Sequence, residues 1–156
     1  MTTGADRSIA EAHERFAAEL GGAHVMSAAD LTPEYTDVAM GIERRVCGVL
    51  RPRDRDQVEG VVRVANELGA RLYPFSCGMN IGYGTRLPVL DDHWLVDLRR
   101  MNRIREYDAV HGQAVIEPGV TQGQLADFLQ DQGGRFWMDP TGSGLQSSIV
   151  GNVLEG

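Results

Sequence analysis

The sequence of 156 residues predicts an α+β domain. Three observations lead there. Apolar residues recur at helical spacing in separated segments. Short apolar runs of strand length stand between them. Two glycine-rich loops follow such runs, where a strand hands the chain on to its next element.

The elements follow in chain order. Ser8 to Leu20 predicts an amphipathic helix: Ser8 and Glu11 make a capping box, Ile9, Ala12, Phe16 and Leu20 share a face, and Gly21-Gly22 ends it. A loop containing Pro33 comes next. Val46 to Leu50 reads as a strand closed by Arg51-Pro52. Asp54 can cap a helix on which Val58, Val61, Val62, Ala65 and Leu68 repeat at helical spacing, with Gly69 beyond its end. Arg71 to Phe75 is a second strand, which makes a parallel, right-handed strand–helix–strand unit. Ser76 to Gly84 is a glycine-rich loop. Trp94 to Leu98, Ile104 to Asp108 and Ala114 to Glu117 read as strands, the last two paired through a turn at His111-Gly112. Thr121 and Gln124 form another capping box, Leu125, Phe128 and Leu129 give that helix an apolar face, and Gly133-Gly134 terminates it. A second Gly/Ser-rich loop, Thr141 to Ser148, precedes the final run Ile149 to Gly156.

Composition narrows the partners. Apolar residues make up 42% and charged residues 24%, ordinary for a soluble globular chain. The net charge of −7 repels a phosphate backbone, so nucleic acid is not an expected partner, and a bound phosphate must be held by backbone N–H groups. Cys47 and Cys77 are too few for a disulfide scaffold or an all-cysteine zinc site. Two free thiols are the plainer reading, with one disulfide left open. His13, His24, His93 and His111 lack metal-ligand spacing. The opening MTTGADRSIAEAHERF is not a signal peptide, and no apolar run is long enough to span a bilayer, so no membrane partner and a cytoplasmic location are expected.

The first loop reads Ser76-Cys77-Gly78-Met79-Asn80-Ile81-Gly82-Tyr83-Gly84. Its glycines permit positive φ and close approach of a ligand, and successive N–H groups in such a turn form an anion-binding concavity. The spacing is neither that of a dinucleotide fingerprint nor that of a Walker loop. By composition alone an ordinary connecting loop explains it better than a cofactor site. The second loop, Pro140-Thr141-Gly142-Ser143-Gly144-Leu145-Gln146-Ser147-Ser148, offers hydroxyls and N–H donors with no cation, which suits phosphate or ribose and a solvated turn equally well.

Four strings in order change that balance. Asn80-x-Gly82-Tyr83-Gly84 after Pro74, Met101-Asn102-Arg103-Ile104, Glu117-Pro118-Gly119-Val120-Thr121 and Ser148-Ile149-Val150-Gly151-Asn152 together resemble the vanillyl-alcohol oxidase and p-cresol methylhydroxylase (PCMH-type) flavoproteins. The likeness runs from about Val46 to Gly156. It implies the N-terminal part of a PCMH-type FAD-binding domain over 46–156: a strand–helix–strand subdomain and the start of a second, with 1–45 as an N-terminal helix and lead-in segment. It implies FAD as cofactor, with Cys77, Gly78, Met79, Asn80, Ile81 and Gly82 along the pyrophosphate. Pro118, Gly119, Thr141, Ser147, Ser148, Gly151 and Asn152 would lie along the rest of the nucleotide. Tyr83 matches the tyrosine that helps hold a substrate phenolate, the catalytic candidate. The implied activity is an FAD-linked oxidoreductase taking hydride from a phenolic or other hydroxylated small molecule to flavin N5.

The sequence also departs from that family. Met79 stands where many relatives carry Lys or Arg, and Thr141 follows Pro140 where several phenol oxidases have aspartate. The likeness implies a chain that stops inside the FAD domain: a truncated gene product, an N-terminal fragment or one half of a split enzyme; the rival expectation is a non-catalytic remnant or interaction module that self-associates or takes a complementing chain.

Other residues have plainer readings. Cys77 fits as a small residue in a tight loop better than as a reactive thiol. His93 beside Asp91-Asp92 reads as a polar turn, Glu106 and Asp108 as solvent-facing hairpin residues, and Trp94, Phe136 and Trp137 as core or subdomain contacts. No Gly-x-Ser-x-Gly elbow supports hydrolase chemistry.

Overall fold

The computed structural model describes residues 4–38, 41–79, 85–138 and 142–155. The chain begins with helix α1, Gly4–Leu20, followed by a short strand β1, Val25–Ser27, and a one-turn helix α2, Pro33–Thr36. Then come β2 (Val46–Leu50), α3 (Arg55–Leu68), β3 (Arg71–Phe75) and β4 (His93–Asp97). The strands form one sheet in the order β1-β2-β4-β3, with β1 antiparallel to β2 and the other pairs parallel.

This corrects the sequence reading in three places. α1 starts a turn before Ser8, so Ser8 lies inside the helix instead of capping it; nothing in Asp6-Arg7 breaks a helix. The lead-in segment contains β1 and α2, which were too short to register as periodic patterns. β2 and β3 are parallel, but β4 is inserted between them.

Helices α1 and α3 cover one face of the sheet. Phe16, Ala12 and Leu20 meet Val61, Val64 and Ala65 over Cys47, Leu50, Trp94 and Val96. The Phe16 ring stands edge-on to the Trp94 indole, with centroids 5.2 Å apart. Ion pairs Arg15–Glu67 and Glu19–Arg63 set the two helices antiparallel. On the other face Val46, Val49, Leu95 and Phe75 pack with Tyr35 and Leu87. Every residue of β2 is therefore buried. Gly48 is glycine for a steric reason: at φ 154° a Cβ there would stand 2.3 Å from the Met26 carbonyl oxygen and 2.6 Å from the indole of Trp94.

Local signals behaved as their chemistry requires. The Asp54 carboxylate accepts the Gln57 N–H at 3.0 Å, and Gly69 ends α3 at φ 65°. After a 3-10 turn at Leu98–Arg100 the chain enters a second lobe. There β5 (Ile104–Asp108) and β6 (Gln113–Ile116) form an antiparallel hairpin. Its turn is held by Asp108, which accepts the N–H groups of Val110 at 2.8 Å and His111 at 3.1 Å. Helix α4, Gln122–Asp131, is capped by Thr121, whose hydroxyl accepts the Gln124 N–H at 3.1 Å. The Gln124 side chain does not complete the capping box; it donates to the Asn102 carbonyl at 2.7 Å. Helix α5 spans Ile149–Glu155. This lobe has a small core of Val120, Leu125 and Leu129, flanked by half-buried side chains including Tyr107 and Phe128. Trp137, expected in a core or contact, is 85% exposed, while Phe136 packs over Gly112. Glu106 and Asp108 face solvent as expected. No helix among the described residues is long and apolar enough to cross a membrane.

Candidate functional site

Three loops meet where the two lobes join. The first leaves β3 at Phe75. The Ser76 hydroxyl donates to the Pro118 carbonyl, and the Cys77 thiol donates to the Gly119 carbonyl at 3.8 Å. Gly78 sits at φ 67°, and a Cβ there would lie 3.3 Å from the Phe75 ring, so the turn needs glycine. Met79 is 41% exposed. Among the described residues, nothing accepts the backbone N–H of Gly78 or Met79.

The second loop, Glu117 to Thr121, is locked from both sides. A Cβ on Gly119 would stand 2.7 Å from the Leu98 carbonyl oxygen and 2.8 Å from that of Met101, so backbone packs against backbone here. The Gly119 N–H is committed to Met101 O at 2.7 Å. Buried Glu117 accepts the Arg103 N–H at 2.9 Å and pairs with the Arg103 and Arg105 guanidinium groups at 3.0 and 3.4 Å. Burial pushes its carboxyl up, but those hydrogen bonds and charges outweigh burial and hold it below the ordinary glutamate value.

The third loop is fastened to the second. Gln122 N–H donates to the Ser147 carbonyl and Gly123 N–H to the Leu145 carbonyl, each at 2.9 Å. Thr121 and Ser148 form an antiparallel bridge. Ser147 Oγ donates to the Gly144 carbonyl at 2.6 Å, and Ser148 Oγ accepts the Gly151 N–H at 3.0 Å. Asn152 is exposed on α5. The structure thus brings Ser76 and Cys77 to Pro118 and Gly119, and joins Ser147 and Ser148 to the same loop, with Gly151 bonded to Ser148. Asn80, Ile81, Gly82, Tyr83 and Thr141 lie outside the described residues.

Beneath the first loop is a polar cluster that sequence reasoning missed. Asp97, 1% exposed at the end of β4, accepts from the Tyr35 hydroxyl at 2.9 Å and from Arg99 Nη2 at 2.7 Å. The Arg99 guanidinium lies 5.4 Å from the Tyr35 ring centroid and 5.9 Å from that of Phe75, and it also pairs with Glu34. Burial, then the charge and hydrogen bond of Asp97, push Tyr35 up to about 12. Hydrogen bonding to Asp97 raises Arg99 against the opposing effect of burial. One signal was available: Asp97 is the charged residue inside an otherwise apolar strand, and a buried carboxylate requires a partner.

Burial raises the Cys77 thiol, against the lowering effects of Ser76 and Arg99, so it is a protonated packing residue. Both cysteines are free. Arg86 also reaches this cluster: its Nη1 donates to the Glu34 carbonyl, while its Nε is buried without a hydrogen-bond partner. Leaving such a donor unmet costs about 1–3 kcal/mol, which marks the place as one where an acceptor is owed. Open N–H groups, a positive-φ glycine and a half-buried arginine with one unmet donor fit a bound phosphate-bearing cofactor.

Comparisons with known proteins show the family. A family profile described as an FAD binding domain matches residues 47–156. The chain is 38% identical over 136 residues to 1'-carboxy-chondrochloren decarboxylase of Chondromyces crocatus, covering 87% of this chain and 25% of that protein. It is 30% identical over 148 residues to the flavoprotein subunit of 4-cresol dehydrogenase [hydroxylating] of Pseudomonas putida, covering 93% and 28%. The crystal structure of p-cresol methylhydroxylase with substrate bound superposes with a TM-score of 0.89 at 29% identity, over 98% of this chain and 30% of that one. The chain thus spans between a quarter and a third of the length of these proteins.

Proposed function

The chain belongs to the FAD binding domain family, and from that premise we propose that it forms the nucleotide-holding part of an FAD-linked oxidoreductase acting on a phenolic or other hydroxylated small molecule. The observation that carries this reading is the convergence of the three loops at the lobe junction. The open N–H groups of Gly78 and Met79 hold the pyrophosphate, and the Arg99 cluster keeps Phe75, the base of that loop, in place. Asn80, Ile81, Gly82 and Thr141 complete the nucleotide contacts in this proposal, with Pro118, Gly119, Ser147, Ser148, Gly151 and Asn152 along its length. Tyr83 holds the substrate hydroxyl as its anion. FAD held by these loops would supply the oxidant, accepting a hydride from the substrate. The phenolic class rests on the 4-cresol dehydrogenase likeness.

The test is an absorbance spectrum of the gel-filtered chain with and without added FAD. A flavin band is expected to co-elute with the wild type and to be lost in Gly78→Val, which strains the positive-φ turn. Equal retention by both proteins would remove the first loop from the site.

A second reading, a partner-dependent half of a split flavoenzyme, is favoured by the exposed apolar residues Val115, Trp137, Leu145, Val153 and Leu154, all on the second lobe. It predicts that flavin retention requires a second polypeptide carrying the remainder of a PCMH-type chain. Tight FAD binding by a monodisperse monomer would eliminate it.

A further inference from the structure

We propose that Arg86 is a cofactor-positioning residue that supplies the pyrophosphate of the bound nucleotide with the positive charge that Met79 does not. The inference rests on the FAD-binding reading of the three-loop site. It starts from a mismatch: the first loop carries no cationic side chain from Ser76 to Gly84, and the protein as a whole is acidic at −7. A dianionic group cradled only by N–H dipoles in such a field is held weakly.

The structure brings a cation to the loop from the following turn. A Cβ placed on Gly78 would lie 3.5 Å from both Cβ and Nε of Arg86, so the guanidinium packs directly against the loop backbone. The partners of Arg86 leave its charge unspent. Nη1 donates to a backbone carbonyl, that of Glu34, while the Glu34 carboxylate is taken by Arg99. Asp97, the buried carboxylate of the cluster, is also committed to Arg99, with Arg51 at 3.9 Å. Among the described residues no carboxylate lies within ion-pair distance of Arg86, and its Nε has no acceptor at all. A half-buried, uncompensated cation beside open N–H groups attracts an anion to the exposed side of the loop. The same arrangement explains why the loop tolerates methionine at position 79: the charge reaches the phosphates from behind the turn.

The experiment measures binding of FAD, ADP and riboflavin to the full 156-residue chain by titration calorimetry, for wild type, Arg86→Gln and Arg86→Lys. Arg86→Gln is expected to weaken FAD and ADP about tenfold, the size of one charge-assisted contact, and to leave riboflavin, which lacks phosphate, unchanged. Arg86→Lys should recover part of the loss, and wild-type FAD affinity should fall with added salt more steeply than that of the glutamine variant. A merely structural role would weaken all three ligands together, and that outcome overturns the proposal, as does an Arg86→Gln variant that binds FAD like wild type. If folded wild-type chain binds neither FAD nor ADP, the cofactor reading falls and this inference with it; binding that is indifferent to Arg86 sinks only the role of Arg86.

Discussion

The two lobes solve the burial problem to different degrees. In the first, helices cover one face of the sheet and the segment around Tyr35 covers the other, so β2 has no exposed residue. In the second, no residue of β5 or β6 is fully buried, and the core reduces to Val120, Leu125 and Leu129. A two-stranded hairpin against one short helix gains little from apolar burial and is marginal by itself. The lesson is that the candidate site straddles a rigid half and a soft half. The lobe junction owes its order to polar stitching as much as to packing.

The comparison can be broken by truncating each core. Phe16→Ala should cost about 3–5 kcal/mol, because it empties a fully enclosed space against Trp94. Leu129→Ala should cost about 2 kcal/mol, the low end for such a change, because its surroundings can collapse. Urea unfolding followed by Trp94 fluorescence in a Trp137→Phe background checks the first, and amide exchange in α4 checks the second. Equal losses would mean that the lobes share one cooperative unit. Asp97→Asn falls between these two, at about 3 kcal/mol, since it removes the buried counter-charge of Arg99 beneath the first loop. Loss of flavin affinity larger than the loss of stability would tie that cluster to the site.

The smallest effect concerns acid. Glu117 is held below its ordinary value of 4.5, so its contribution is complete above pH 4.5 and disappears as pH falls through the lower folded value. Protection of the hairpin amides, measured against their intrinsic exchange rates, should therefore fall below pH 4.5 in wild type. Glu117→Gln should be less protected at neutral pH and lack that acid step. An unchanged acid profile would place the sensitivity of the soft lobe elsewhere.

Much of this division was legible in the residues. Asp54, Thr121 and Gly69 marked helix ends through local hydrogen bonds and a left-handed turn, and these signals depend on nothing distant. The order of the family strings identified the three loops before any geometry did. The insertion of β4 between β2 and β3 was not legible, because strand order is decided by pairing across long separations. Nor was the Tyr35–Asp97–Arg99 cluster, whose members come from the lead-in segment and the far end of β4. Trp137 misled for the opposite reason: its size argued for burial, yet it lies beyond the end of α4 and stands exposed.

The stitching of Ser76 and Cys77 to Pro118 and Gly119 has a consequence for time as well as for shape. A thiol reagent reaches Cys77 only while the first loop stands away from the second lobe. Cys47, on β2, lines a cavity with Ala12, Ala70 and Trp94, so access to it depends on the first lobe alone and not on the junction. The chain therefore carries two clocks of its own, one ticking with each parting of the halves and one with each opening of the first lobe, and a nucleotide that bridges the junction should slow the first while leaving the second nearly untouched.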